Sequence, residues 1–251
     1  MITKNLELNI DGITLKAILD LPDDYEGKRL PLLLILHGFT GWKEEVHIEA
    51  VAKAAVEEGY AAFRYDQYGH GASGGEFKDH DIMIWLHQAM SVINIVSKYD
   101  FVKEVVVAGH SQGGLNTILV GGMLNDLVKA IIPMSPAVNI VYAAREDIFF
   151  GMNLKGKELP EYFTFGNRSL GSNYHRVAKM ISIETAIKNF EKPVLLIHGT
   201  KDEAVPYDCS VELNKQFKNS KLITIPDDNH GYSLHLDMVV ESVKEFLKEI
   251  K

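Results

Sequence analysis

The chain has 251 residues, enough for one large α/β domain with a well-buried core. Its 34 acidic and 26 basic side chains give a net charge of −8. That balance argues against nucleic acid as a partner, because nucleic-acid binding depends on a cationic surface. A hydrophobic content of 46% and a charged content of 24% are typical of a soluble globular protein.

The amino-terminal residues carry no sign of a targeting or membrane segment. Residues 1–7 lack the apolar core of a secretory signal, and the longest apolar run, 32–36, is too short to span a bilayer. The single cysteine, Cys209, permits no internal disulfide, and we interpret it as a partly buried helix residue rather than a catalytic thiol. The sequence therefore predicts a cytoplasmic protein with no membrane partner. Two alternatives stay open: a signal peptide that is removed from the mature protein, and assembly as a homodimer.

The chain begins with a predicted hairpin. Residues 6–10 and 14–22 alternate polar and apolar side chains around Asp11-Gly12, a dipeptide that favours a tight β-turn. Residues 30–36 then form a continuous apolar run, as expected for a strand that is buried on both faces.

Helical and strand patterns alternate through the middle of the chain. Apolar residues at helical spacing predict a helix over 44–58, and a buried strand over 60–65 follows. A long helix with one apolar face is predicted over 82–96, before a β-branched strand that ends at Gly109. This order predicts a largely parallel sheet that is covered by helices on both faces.

The second half of the chain interrupts this alternation once. Residues 137–182 combine aromatic, glycine and charged residues without a steady period, which is too long for an ordinary connection and predicts a cap or lid. The regular elements around it are strands over 128–134, 193–199 and 222–225, a helix over 207–218 and a final helix that buries Leu236, Val239 and Val243. We therefore predict one α/β domain, 1–251, with a cap inserted at about 137–182.

The clearest chemical signal is the stretch from Gly109 to Gly113, between a predicted strand and a predicted helix. It fits Gly-x-Ser-x-Gly, the nucleophile elbow, in which Ser111 stands on a tight, strained turn with its hydroxyl exposed. Glycine is needed on both sides because a side chain there would collide with the neighbouring strand and helix. The alternative is a glycine-rich turn with an idle serine. The strand before it and the helix after it argue against that alternative.

A nucleophilic serine needs a base, and the base needs an orienting acid. In this order of elements, both should follow on loops after later strands. Asp202 lies directly after the strand over 193–199 and is favoured over its neighbour Glu203. An aspartate that only hydrogen-bonds its own loop is the alternative. His230 follows the last predicted strand and is the favoured base, although a solvated loop histidine is common in general.

An oxyanion formed during acyl transfer requires two backbone N–H groups. By position, these belong to Gln112, which follows the nucleophile, and to Phe39, in the loop after the strand over 30–36.

The remaining histidines near strand ends are interpreted as supporting residues, and the one in the final helix as a surface residue. The former are His37, His70, His110 and His198, and the latter is His235.

A second glycine-rich motif raises the alternative of a nucleotide site. Residues 69–74 fit Gly-x-Gly-x-x-Gly after a strand, the pattern of a dinucleotide site. That pattern needs a helix to open at its third glycine, whereas residues 75–79 intervene here, so we interpret it as a glycine-rich turn. No His-Glu-x-x-His and no paired cysteines indicate a metal site. The sequence therefore predicts no metal and no cofactor.

Taken in order, these motifs resemble the α/β-hydrolase fold across nearly the whole chain. The resemblance is carried by residues 37–41, 66–73, 109–114, 198–202 and 229–230. More narrowly, the sequence resembles the bacterial cinnamoyl and feruloyl esterases of that superfamily. The closer resemblance is carried by 37–41, the elbow, the cap segment 171–178 and 202–206.

The resemblance implies a serine esterase that acts on hydroxycinnamate esters, with the cap shaping the acyl pocket. It also implies that Tyr174 faces the aromatic acyl group, although a tyrosine that only packs within the cap is an equal alternative. Phe149 and Phe150 make the first part of the cap apolar. A monoacylglycerol-type lipase and a small-peptide hydrolase are alternatives within hydrolases. A non-catalytic binding protein on the same scaffold is the alternative from another class.

Overall fold

Twelve strands and eight helices follow one another along the computed structural model, which describes residues 1–251. In chain order they are β1 (Ile2–Ile10), β2 (Ile13–Leu21), β3 (Leu30–Leu36), α1 (Val46–Glu57), β4 (Ala61–Tyr65), α2 (Ile82–Val96), β5 (Val102–His110), α3 (Gln112–Met123), β6 (Val128–Met134), α4 (Asn139–Arg145), β7 (Ile148–Phe149), β8 (Met152–Asn153), β9 (Tyr162–Phe165), β10 (Arg168–Gly171), α5 (Asn173–Met180), α6 (Ile183–Asn189), β11 (Val194–Gly199), α7 (Asp208–Gln216), β12 (Ser220–Ile225) and α8 (Leu236–Glu249). A short 3-10 helix, Phe77–Asp79, precedes α2. None of the eight helices has the length and apolar character that crossing a membrane requires.

Eight of the strands form one sheet, in the order β1-β2-β4-β3-β5-β6-β11-β12. The strands from β4 to β12 in this order run parallel, whereas β1 and β2 are antiparallel to their neighbours. The predicted α/β-hydrolase architecture, with an antiparallel hairpin at one edge, is therefore confirmed. The hairpin turn has positive φ at Asp11 (52°) and Gly12 (82°), as a two-residue turn of this twist requires.

The central strands are buried on both faces. Along β3, Leu32 and Leu34 belong to one hydrophobic cluster, and Leu33 belongs to the cluster on the other side of the sheet. Each of these leucines is fully buried, which explains why the strand is a continuous apolar run rather than an alternating one. Helices α2 and α3 contribute to the first cluster, and α1 and α8 contribute to the second.

The residues between β6 and β11 form several small elements rather than one. They are α4, the two-stranded hairpins β7–β8 and β9–β10, and the helices α5 and α6. Helix α6, residues 183–189, is not among the helices that the sequence predicts. This helix packs tightly on α3, since a Cβ atom at Gly122 would lie 2.5 Å from the backbone of Ala186.

Parallel strands bring their carboxyl ends to one edge of the sheet, and the loops that follow them meet there. The loops after β3, β4, β5, β11 and β12 therefore lie along the same edge. These loops contain Phe39, Ser111, Asp202 and His230. The segment between β6 and β11 lies over the same edge.

Candidate active site

The turn between β5 and α3 has the strained geometry of a nucleophile elbow. Ser111 adopts φ 56° and ψ −118°, a conformation that L residues avoid unless the surrounding structure imposes it. A Cβ atom at Gly109 would lie 2.3 Å from the carbonyl oxygen of Gly113, and one at Gly113 would lie 2.3 Å from that of Leu36. Both clashes are with backbone, so only glycine permits the elbow to pack this closely.

Asp202 and His230 form a hydrogen-bonded pair next to this elbow. Nδ1 of His230 donates to Oδ2 of Asp202 over 2.7 Å. This contact leaves Nε2 as the basic nitrogen of His230. The Asp202 side chain is fully buried, whereas Glu203 is exposed, so the structure brings together the favoured acid and the favoured base.

Both interpretations of Asp202 describe part of its environment. Its Oδ1 accepts the backbone N–H groups of Ala204 (2.9 Å) and Val205 (2.8 Å), which is the local turn contact. Its Oδ2 receives His230 and lies 3.2 Å from Nε2 of His198. Burial alone would raise the pKa of Asp202, but these hydrogen bonds hold that pKa well below its usual range. The carboxylate therefore stays ionised and able to orient His230.

His198 is a supporting residue of this pair. It lies in β11, directly before the last residue of that strand, Gly199, and is completely buried. Its Nδ1 contacts the hydroxyl of Ser210 over 2.7 Å, and its Nε2 lies 3.0 Å from the carbonyl oxygen of Val205. Because a carbonyl only accepts, Nε2 carries the proton and also faces the Asp202 carboxylate.

Sequence reasoning missed Asp228, which shapes the loop that carries His230. This buried carboxylate accepts the backbone N–H groups of Leu234 (3.1 Å) and His235 (2.8 Å). The backbone carbonyl oxygen of Asp228 accepts the N–H of Lys201 over 2.8 Å. This contact joins the loop of Asp202 to the loop of His230. Asp227 and Asp228 are adjacent in the sequence, and no local pattern indicates which of the two carboxylates is buried.

Ser111 and His230 line the same cavity, which has a volume of about 520 Å³. This size is within the range of small-molecule sites. No hydrogen bond joins the Ser111 hydroxyl to His230 in this structure. The apolar lining consists of Phe39, Ala137, Ile140, Ala143, Ile148, Phe149, Phe150, Ala204 and Val205. No aspartate, glutamate, lysine or arginine lines the cavity, so it suits an uncharged, apolar ligand.

Two backbone N–H groups at this site lack a protein acceptor. The N–H of Phe39 donates to no group of the protein. The N–H of Gln112 belongs to the first turn of α3, where a helix supplies no acceptor of its own. Both residues lie close to Ser111. Gln112 follows it in the chain, and Phe39 follows Gly38, where a Cβ atom would lie 2.9 Å from the Ser111 Cβ. This arrangement suits the binding of a developing oxyanion.

Tyr174 is buried next to the nucleophile elbow. It is fully buried, its hydroxyl donates to Oε1 of Gln112 over 2.7 Å, and it is not among the residues that line the cavity. Its ring packs edge-on against Phe39, with the ring centroids 6.2 Å apart. In this position Tyr174 links helix α5 to the nucleophile elbow. Direct contact with an acyl group stays a prediction.

Replacing Tyr174 by phenylalanine is expected to lower the free energy of unfolding by about 1–3 kcal/mol, because the Gln112 oxygen is then buried without a donor. KM should stay within about threefold of the wild-type value, since the hydroxyl that is removed binds Gln112 and does not line the cavity. Denaturant unfolding and ester kinetics measure the two effects. Tyr162→Phe, at an exposed position of β9, is the matched control. A large rise in KM with unchanged stability would instead support direct contact with the acyl group.

The fold and this site together define a serine hydrolase of the α/β-hydrolase class. A strained serine follows the central strand β5, and an aspartate and a histidine follow β11 and β12. The chain belongs to the prolyl oligopeptidase family, whose sequence pattern matches residues 47–250.

Three comparisons illustrate what the chain is similar to. Est1E from Butyrivibrio proteoclasticus, solved with ferulic acid bound, is 45% identical with a TM-score of 0.94, over 97% of this chain and 98% of that one. The bifunctional esterase/perhydrolase DCH of Acinetobacter calcoaceticus is 25% identical over 83% of this chain and 88% of its own length. Mouse alpha/beta hydrolase domain-containing protein 10, with 17% identity, a TM-score of 0.82 and coverage of 99% and 100%, shows the fold alone.

Proposed function

We propose that the protein is a serine carboxylesterase that cleaves hydroxycinnamate esters, with Ser111 as nucleophile, His230 as base and Asp202 as the orienting acid. The observation that carries this proposal is the uncharged, aromatic-lined cavity that opens onto both Ser111 and His230. Similarity to a solved protein with ferulic acid bound supports the choice of acyl group.

The proposed reaction begins with attack of the Ser111 hydroxyl oxygen on the ester carbonyl carbon while Nε2 of His230 takes the proton. Asp202 stabilises the imidazolium that forms. The N–H groups of Phe39 and Gln112 bind the negative charge on the carbonyl oxygen, each contributing about 3 kcal/mol in the transition state. The bond to the alcohol oxygen then breaks, and His230 returns its proton to that oxygen.

The second half of the proposed reaction repeats the same steps with water. His230 takes a proton from water as the water oxygen attacks the acyl carbon bound to Ser111. The tetrahedral intermediate is again stabilised by Phe39 and Gln112. It collapses to a free carboxylic acid, and the proton returns from His230 to the Ser111 oxygen.

Residues 137–182 act as the cap in this proposal. Phe149 and Phe150 come from this segment, and their ring centroids lie 4.8 Å apart. Phe150 lies 5.5 Å from Phe39, measured between ring centroids. These three rings surround the cavity next to Ser111, and flat aromatic acyl groups pack favourably against such rings.

The family name raises the alternative of a small-peptide hydrolase, and a monoacylglycerol-type lipase is a second one. A peptidase that holds a charged substrate amine needs a carboxylate near the scissile bond, and the cavity lining contains none. This observation favours an uncharged ester over a peptide with a free amino terminus.

Side-by-side assays of methyl ferulate, a long-chain monoglyceride and an aminoacyl amide test the substrate class. We expect kcat/KM for methyl ferulate to exceed that for the other two by about 100-fold or more, since its flat aromatic acyl group packs against the aromatic lining. The monoglyceride offers no ring to this lining, and the amide places a charged amine in it. A preference for the monoglyceride or the amide would contradict the proposed acyl group while leaving the serine mechanism intact.

A further inference from the structure

The loop that presents the Phe39 N–H is a tight turn in a strained conformation. The N–H of Gly41 donates to the carbonyl oxygen of Gly38 over 3.0 Å, which closes the turn. Within it, Thr40 has φ 65°, a left-handed conformation that is uncommon for a residue with a side chain. A conformation of this kind persists only where neighbouring groups hold it.

One such group is His70, in the glycine-rich stretch after β4. Its Nε2 accepts the N–H of Thr40 over 3.2 Å, and its Nδ1 donates to the carbonyl oxygen of Tyr68 over 2.9 Å. A backbone N–H only donates and a carbonyl only accepts. The proton therefore resides on Nδ1, and Nε2 offers its lone pair to Thr40. Burial keeps the ring in this neutral form by lowering the pKa of His70 to about 4.

Glycine allows the loop of His70 to pack closely against Asp66. Gly71 has φ 53°, and a Cβ atom there would lie 2.2 Å from the carboxyl carbon of Asp66. That carboxylate accepts the N–H of Ala72 and the N–H of Lys43, each over 2.8 Å. Asp66 therefore holds the glycine loop on one side and the end of the Phe39 loop on the other.

His37 holds the opposite end of the same turn. Its Nδ1 donates to the carbonyl oxygen of Gly38 over 2.8 Å, and its Nε2 accepts the N–H of Gln67 over 2.9 Å. Neither contact reaches Thr40. His70 is thus the side chain that binds the strained residue itself.

We propose that His70 is a positioning residue for the oxyanion hole: by accepting the Thr40 N–H it holds the strained turn that aims the Phe39 N–H at the reacting carbonyl. This inference rests on the proposed esterase function. It also gives the Gly-x-Gly-x-x-Gly motif of residues 69–74 a role, which is to hold the His70 imidazole in place.

The kinetic test replaces His70 with phenylalanine, which keeps the aromatic packing and removes the acceptor, or with glutamine, whose side-chain oxygen can reach the same N–H. We expect His70→Phe to lower kcat by about 10–100-fold with KM within about threefold, because only transition-state binding is lost. His70→Gln should recover most of this loss. Affinity for a trifluoromethyl ketone should fall with kcat, whereas affinity for ferulate should not.

His80→Phe is the matched control. His80 is buried in the same aromatic cluster, with its ring centroid 4.8 Å from that of His70. Its Nδ1 contacts only the carbonyl oxygen of Phe77, so it makes no hydrogen bond to the Phe39 loop. An equal loss of kcat in His80→Phe and His70→Phe would overturn the inference, as would a rise in KM without a change in kcat.

Amide hydrogen exchange at Thr40 tests the same inference without any substrate. We expect exchange to be about tenfold faster or more in His70→Phe than in the wild-type protein, and unchanged in His80→Phe. If the wild-type protein hydrolyses no ester, the proposed function fails while this measurement still decides the role of His70. An unchanged exchange rate at Thr40 in His70→Phe would refute that role even if the esterase is active.

Discussion

Ser111→Ala is expected to lower kcat for hydrolysis of a short p-nitrophenyl ester by about 10⁵–10⁶-fold. The substitution removes the atom that forms the acyl-enzyme, and the strained elbow offers no other nucleophile at that position. The remaining N–H groups of Phe39 and Gln112 still bind the oxyanion, so a small residual rate above that of water should persist. Steady-state kinetics with highly purified protein measure the difference.

Ser233→Ala is the control for this result, because Ser233 is an exposed serine in the loop that carries His230. Its kcat should stay within about twofold of the wild-type value, as for most surface substitutions. A fluorophosphonate should modify the wild-type protein once, at Ser111, and leave Ser111→Ala unmodified. Retained hydrolysis in Ser111→Ala would refute the serine mechanism. Failure of the wild-type protein to react with the reagent would favour a non-catalytic binding protein.

Asp202→Asn is expected to lower kcat by about 10³–10⁴-fold with little change in KM. The amide removes the negative charge that stabilises protonated His230, and it no longer enforces the proton on Nδ1. Glu203→Gln removes a charge from the adjacent, exposed residue and is expected to leave kcat within about threefold. If Glu203→Gln lost as much activity as Asp202→Asn, the assignment of the acid would be wrong.

The lowered pKa of Asp202 also fixes the direction of two pH effects. Because the folded-state pKa lies well below the ordinary value of 3.8, Asp202 stabilises the folded protein above that value. This contribution is lost as the pH falls through the range below it. The free energy of unfolding of Asp202→Asn should therefore depend less on pH below about pH 5 than that of the wild-type protein. For the same reason, loss of wild-type activity in acid should not reflect protonation of Asp202.

Local patterns carried most of the fold prediction. The predicted strand over 128–134 coincides with β6, and the predicted helix over 82–96 coincides with α2. The helix has an apolar period and the strand is an almost continuous apolar run, and each pattern matches its burial in the structure. Helix α6 was missed because it is short and its burial depends on packing against α3, which no local pattern reveals.

Tyr174 and His70 show where sequence reasoning stopped. The motif around Tyr174 predicted a residue of the cap, yet its hydroxyl reaches Gln112, 62 positions earlier in the chain. His70 was interpreted only as a supporting residue, because its acceptor role depends on Thr40, 30 positions away. Such contacts arise when loops from separate strands meet at one edge of the sheet, so their partners cannot be inferred from spacing along the chain.

By itself, the sequence determined the α/β class, the order of the strands and helices outside the segment between β6 and β11, and the positions of Ser111, Asp202 and His230 after their strands. These features follow from hydrophobic periodicity and from glycines that tight turns require, both of which are local properties of the chain. Only the tertiary structure decided that Asp202 rather than Glu203 reaches His230, and that the cavity beside Ser111 is uncharged. Hydrogen-bond direction and burial depend on how distant loops pack together, and the chain alone does not encode these in a readable pattern.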